Sequence, residues 1–175
     1  MTDDGARRWF SLKAGASNWL WLTLAVVALD QWTKRLIVAR FEPYEELFVL
    51  PVLDIVRWHN EGAAWSFLSD AGGWQRWFFM LLGIAVSIGI LIWLRQLPAR
   101  GQSRVAAGLA LVMAGALGNV IDRVYLGYVV DFIKVHYGGW VFPAFNAADS
   151  AITIGAGLII LDAVIDYGRG SEKRR

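Results

Sequence analysis

Two aspartates carry the acid–base chemistry that this sequence can offer. Asp131 lies in the stretch "LGYVVDFIKVH", flanked by Val129, Val130, Phe132 and Ile133. Apolar neighbours exclude water, and desolvation raises the pKa of a carboxyl group. A turn or strand-end aspartate bonded to backbone is the plainer alternative, although a charge among four apolar residues does little for solubility. Asp149 lies in "FPAFNAADSAITIGAG". There Asn146 and Asp149 have the spacing of a capping box, Pro143 precedes them, and an apolar helix follows. Spacing alone favours the cap. A carboxylate at the third helical position also feels the positive helix end, which favours its charged form. The two aspartates end one segment that joins two apolar runs. Packing those runs side by side would bring the carboxylates together at small entropic cost. Two acids whose environments push their pKa values apart can share one proton and divide the duties of base and acid.

Other polar residues sit at depths where they are costly in a membrane. Asp30 and Lys34 are one helical turn apart and can pair, Lys34 snorkelling outward, which reads as an ion pair orienting its helix rather than as catalysis. Asn119 and Asp122 share a face beside Arg123, whose guanidinium can bind a carboxylate or a lipid phosphate. Bracing of helices and positioning of substrate both suit them. Several other chemistries lack their residues. There is no Cys, and the two histidines, His59 and His136, do not form an H-E-x-x-H metal motif. There is no G-x-S-x-G elbow or Walker A loop, and Ser66, Ser150, Lys34 and Lys134 are not grouped as a Ser–Lys dyad. A formal net charge of +2 gives no basis for nucleic-acid binding.

The elements that must hold these residues are membrane helices. The 175 residues are 57% hydrophobic and 18% charged, with a mean hydropathy of +0.44, more apolar surface than a soluble domain of this length can bury. One domain over residues 1–175 is expected. Four spans are predicted: Trp19 to about Val38, Trp77–Leu94, Val105–Val124 and Ala148–Asp166. The first is the most compromised: it is clean from Trp19 to Leu29, then meets Asp30, Lys34 and Arg35, and "DQWTKRL" following that clean run argues for a retained anchor rather than a cleaved leader. Many of the ten Trp lie near the ends of these runs, as interfacial belts require. Basic residues place both termini and the connection that holds Arg95, Arg100 and Arg104 on the cytoplasmic face. The opposite face receives the segment from Ala39 to Arg76 and the loop from Arg123 to Ala147. Within 39–76, "LFVLPVLDIVRW" predicts short strands broken at Pro51.

Five stretches together resemble lipoprotein signal peptidase (signal peptidase II), a family of bacterial intramembrane aspartyl proteases. They are "LDQWTK" at 29–34, "HNEGAAWS" at 59–66, "GALGNVIDR" at 115–123, "VVDF" at 129–132 and "FNAADSAITIG" at 145–155. Residues 1–16 and 168–175 carry no match. The resemblance implies an all-α membrane protein of four transmembrane helices with a small extracytoplasmic β-rich cradle, within 39–76 here. It implies a catalytic dyad at Asp131 and Asp149. Asp30, Lys34, Asn60, Gly62, Asn119, Asp122, Arg123 and Asn146 would bind substrate or support the dyad. The implied substrate is a prolipoprotein whose lipobox Cys already carries diacylglyceryl, cut just before that Cys in the bacterial inner membrane. No metal or other cofactor is implied, membrane lipids are the surroundings, and globomycin-type antibiotics are the inhibitors.

Two other classes compete. A small proton-coupled transporter predicts ionisable groups at several depths, whereas the acids other than Asp30 crowd the two faces. A structural membrane protein predicts polar residues that only brace helices, so that Asp131→Asn and Asp149→Asn would alter stability rather than turnover.

Overall fold

The computed structural model describes residues 16–62, 72–98 and 100–172, with side chains as far as residue 168. Residues 63–66, the "AAWS" that ends the second matching stretch, lie outside the described residues. So do Asp70 and the charged ends Arg7, Arg8, Lys13, Lys173, Arg174 and Arg175. Among the described residues, the chain runs α1 (Leu20–Arg40), β1 (Glu46–Leu50), β2 (Leu53–Asn60), α2 (Trp74–Gln96), α3 (Ser103–Tyr125), β3 (Val129–Tyr137), β4 (Trp140–Val141) and α4 (Ala147–Glu172). A short 3-10 turn, Ala16–Trp19, leads into α1.

Three of these helices are long and apolar enough to cross a membrane: Trp74–Gln96, Ser103–Tyr125 and Ala147–Gly168. The outward faces of the first and last of these carry exposed Trp77, Leu81, Ile88, Ile92, Ile154 and Val164, as a lipid-facing surface requires. Helix α1 is of similar length but holds Asp30, Lys34 and Arg35 within it. It continues unbroken past these charges to Arg40 because Asp30 and Lys34 are buried and paired with one another at 2.9 Å.

Helix α3 is the hub, packing against α1, α2 and α4. It is rich in small residues along the face that meets α4. A Cβ on Gly115 would stand 2.2 Å from the Ala148 carbonyl oxygen, and one on Gly108 would stand 2.7 Å from that of Gly155. Only glycine allows so close an approach of two backbones, as at other small-residue membrane interfaces. Toward the other end, Ile90, Leu94, Leu97, Ala106, Leu109 and Met113 form the apolar core.

The extramembrane sheet is antiparallel, in the order β1-β2-β3-β4. It is not confined to 39–76, because two of its strands come from 129–141, a stretch expected to be loop. Residues 129–132 are buried without alternation, so this strand has no period-two signature to read. The β2–β3 register sets Trp58 opposite Asp131 and Asn60 opposite Val129, after a shift between Ile55 and Trp58 that re-aims the end of β2. Phe145 then bridges to Ile133, its carbonyl accepting the N–H groups of Phe132 and Ile133. That bridge seats the start of α4 against β3.

Candidate active site

Asn146 is the N-cap of α4. Its side-chain carbonyl accepts the Asp149 N–H at 3.0 Å, and its own N–H donates to Asp149 Oδ2 at 3.2 Å. This is the reciprocal capping box that the spacing predicts. The Asn146 side chain also reaches the other acid, since its Nδ2 donates to Asp131 Oδ1 at 2.7 Å. One fully buried residue thus touches both carboxylates.

Each carboxylate is completed by a further asparagine. Asn60 Nδ2 donates to Asp131 Oδ2 at 2.9 Å, and Asn119 Nδ2 donates to Asp149 Oδ1 at 2.8 Å. All four carboxylate oxygens therefore face N–H donors. Asp131 is only 3% exposed. Burial, with the charge of Asp149 second, pushes its pKa up to about 7, against the opposing pull of Asn60, Asn146 and Lys34. Asp149 is half-buried and lines a cavity, whereas Asp131 stands behind it.

The remaining predicted residues form the support. Lys34 Nζ contacts Asp30 Oδ2 at 2.9 Å, Asp122 Oδ2 at 3.1 Å and Asn119 Oδ1 at 3.0 Å. It thereby fixes the flip of Asn119 that presents Nδ2 to Asp149. Asp30 also accepts the Ala148 N–H at 2.9 Å, a second cap on the same helix turn. Asp122 accepts the Val130 N–H at 3.1 Å and so ties α3 to the strand that carries Asp131. Arg123 donates to the Gly62 carbonyl at 2.7 Å and stacks over Phe79, with its guanidinium carbon 5.2 Å from the ring centroid. Gly62 N–H donates to Asn60 Oδ1 at 3.0 Å, which orients the Asn60 amide toward Asp131.

Every site residue predicted from the sequence thus meets the others at the end of the bundle beneath the sheet. Gln31 belongs with them, although the sequence reading does not single it out. Its Nε2 reaches Asp122 Oδ1 at 2.8 Å, the Gly118 carbonyl at 3.2 Å and Asp30 Oδ2 at 3.3 Å. An uncharged amide inside an apolar helix, next to Asp30, is the signal that could have found it.

Asn60, Asn119, Arg123 and Asp149 head a cavity of about 800 Å³. From them it descends along Leu82, Gly83 and Val86 of α2, Val112 and Ala116 of α3, and Ile152 of α4. The polar head can hold a backbone and a water; the apolar trough can hold a hydrocarbon segment.

Known proteins match along most of the chain. The family model described as signal peptidase (SPase) II matches residues 22–165. The lipoprotein signal peptidase of Pseudomonas aeruginosa (strain PAO1) is 49% identical over 152 residues, covering 85% of this chain and 88% of that one. That of Shewanella pealeana is 46% identical over 161 residues, covering 92% and 94%. A solved structure described as a bacterial membrane enzyme, determined by the in meso method at 2.3 Å resolution, superposes with a TM-score of 0.78 at 36% identity, covering 87% of this chain and 91% of the other. With a matching model, near-half identity and a shared fold over these same residues, the chain belongs to the signal peptidase (SPase) II family.

Proposed function

We propose that this protein removes the signal peptide from diacylglyceryl-modified prolipoproteins, cleaving before the lipidated Cys. The observation that carries the reading is Asn146, which bonds one carboxylate through its side chain and the other through its backbone at the head of an apolar groove. Two carboxylates so joined can hold one proton between them. Asp149, on the cavity wall, is the ionised partner and takes a proton from the attacking water. Asp131, buried and with its pKa pushed up to about 7, holds the proton and donates it toward the scissile carbonyl. The gem-diol then collapses: Asp149 passes its proton to the leaving amine, and Asp131 takes a proton back from a diol hydroxyl, which restores the starting state of the pair.

The trough from Leu82 to Ile152 takes the apolar part of the substrate, and the polar head takes the peptide bond. Helix α1 is the fourth span of the bundle. Arg95, Arg100 and Arg104 lie at the opposite end from the sheet, which supports a dyad on the extracytoplasmic side of the bacterial inner membrane, with both termini cytoplasmic. Globomycin-type inhibitors would occupy the same head and trough.

The test is a purified-protein assay on a diacylglyceryl lipobox substrate. Asp131→Asn and Asp149→Asn should each fold and lose turnover. Wild-type cleavage by either would remove the dyad, and unfolding without a separate loss of turnover would favour a bracing role.

A further inference from the structure

The ladder that carries Asn60 to Asp131 is short. After the shift between Ile55 and Trp58, β2 and β3 share three residue pairs: Trp58 with Asp131, His59 with Val130 and Asn60 with Val129. Strand β2 then ends at Asn60. A slip of one residue turns every side chain of a strand to the other face of its sheet. Such a slip would carry the Asn60 amide away from Asp131. The register needs a pin at this end, and cross-strand side-chain pairs are the common source of one.

The half-buried ring of His59 stacks on that of Tyr128, with centroids 3.9 Å apart and planes at 23°. Tyr128 directly precedes β3 and follows the left-handed Gly127. The ring of Tyr44 packs against His59 as well, at 5.4 Å. Tyr44 has a φ of 65°, the only positive value at a non-glycine residue among the described residues. That conformation is unfavourable for a bulky side chain and persists only where the surroundings hold it. Its N–H donates to the Arg57 carbonyl at 2.8 Å, so backbone and ring both fasten the α1–β1 connection to β2. His59 Nε2 is buried and has no hydrogen-bond partner among the described residues, so ring contacts seat the imidazole. The titratable groups that face it are Arg57 and Glu61 at its own strand end, Tyr44 from the α1–β1 connection and Tyr128 from the α3–β3 turn. Burial holds the His59 pKa below the usual histidine range, Arg57 acts in the same direction, and Glu61 opposes them. The ring is therefore neutral near pH 7 and stacks uncharged.

We propose that His59 is a positioning residue for the dyad: stacked on Tyr128 and braced by Tyr44, it fixes the β2–β3 register that sets the Asn60 amide on Asp131. This role rests on the proposed dyad. His59 does not line the main cavity, so it acts through its neighbour Asn60, whose Nδ2 lies 2.9 Å from Asp131 Oδ2. The Gly62 N–H sets the flip of that amide, and the stack sets the strand position beneath it.

The experiment compares pH profiles of kcat/KM on the diacylglyceryl lipobox substrate for the full chain carrying His59→Ala, His59→Phe, Asn60→Ala, or His59→Ala with Asn60→Ala. The Asn60 bond favours the Asp131 carboxylate. His59→Ala should therefore lower kcat about tenfold or more, the scale of a misplaced active-site group. It should also move the basic limb upward by up to about one pH unit, the scale of one hydrogen bond. Adding it to Asn60→Ala should move the limb no further, because both changes act on one bond. His59→Phe keeps a ring on Tyr128 without a titrating nitrogen and should retain the wild-type limb and kcat. Tyr128→Leu takes away the other ring and should shift the limb as His59→Ala does. Melting temperatures establish which variants remain folded. A wild-type limb in folded His59→Ala or folded Tyr128→Leu would overturn the proposal. So would a Phe variant that behaves like the Ala one, or shifts that add in the double variant. Wild-type cleavage by Asp131→Asn would instead remove the dyad itself. Loss of cleavage there, with a wild-type profile in His59→Ala, leaves the dyad standing and removes only the pin.

Discussion

The side chain of Asn146 lies 2.7 Å from Asp131 while its backbone N–H donates to Asp149, so a single helix cap is also the link between two acids. Cap and chemistry do not compete here. The residue that ends the loop and starts α4 fixes the spacing of the carboxylates by the same bonds.

Asn146→Ala is therefore expected to act twice. Loss of the N-cap should cost about 1 kcal/mol of stability, read as a lower melting temperature. Turnover should fall far more than that cost predicts, because Asp131 loses one of its two donors. Unaltered kcat in a folded variant would show that the link is only a cap.

The pH dependence follows from Asp131. Its carboxyl, ordinarily near 3.8, titrates at about 7 in the folded protein. The protonated form is the one the mechanism uses, so kcat/KM should decline as pH rises through about 7. The Asn60 bond favours the carboxylate, so Asn60→Ala should move this basic limb to higher pH; a limb moved downward would contradict the assignment. For stability the sign is the same. Between about 4 and 7 the folded state binds the proton that the unfolded state has lost, so stability falls as pH rises across that window.

Lys34→Met leaves Asp30 and Asp122 buried without their shared cation. Removing one partner of a buried ion cluster costs about 3–5 kcal/mol. A large drop in melting temperature is expected, and a negligible drop would mean that water or lipid replaces the ammonium.

Gly115→Ala tests how closely α3 must approach the start of α4. Its Cβ would lie 2.2 Å from the backbone oxygen of Ala148, which cannot rotate away. Overpacking of this kind costs about 1–3 kcal/mol, and the shift falls on the turn that carries Asp149. Activity should be lost along with stability, whereas Gly157→Ala, with open space around it, should be neutral.

What the sequence determined by itself is local. Apolar runs of spanning length mark α2, α3 and α4, and the three-residue spacing of Asn146 and Asp149 marks a capping box, because helix geometry makes near neighbours interact. Asp30 and Lys34 are readable as a pair for the same reason. The tertiary structure decided everything that joins distant segments. Strand β3 was hidden because its buried start lacks alternation and its partner, β2, lies far earlier in the chain, as the Asn60–Asp131 bond records with a separation of 71. The cap that Asp30 places on Ala148 spans 118 residues, and no periodicity can announce it. Gln31 gave no charge to notice, yet it binds Asp30 and Asp122 once α1 and α3 pack. The apolar flanks of Asp131 foretold a raised pKa, but the burial that causes it exists only after the sheet closes over the helix ends, since desolvation is a property of the packed neighbourhood.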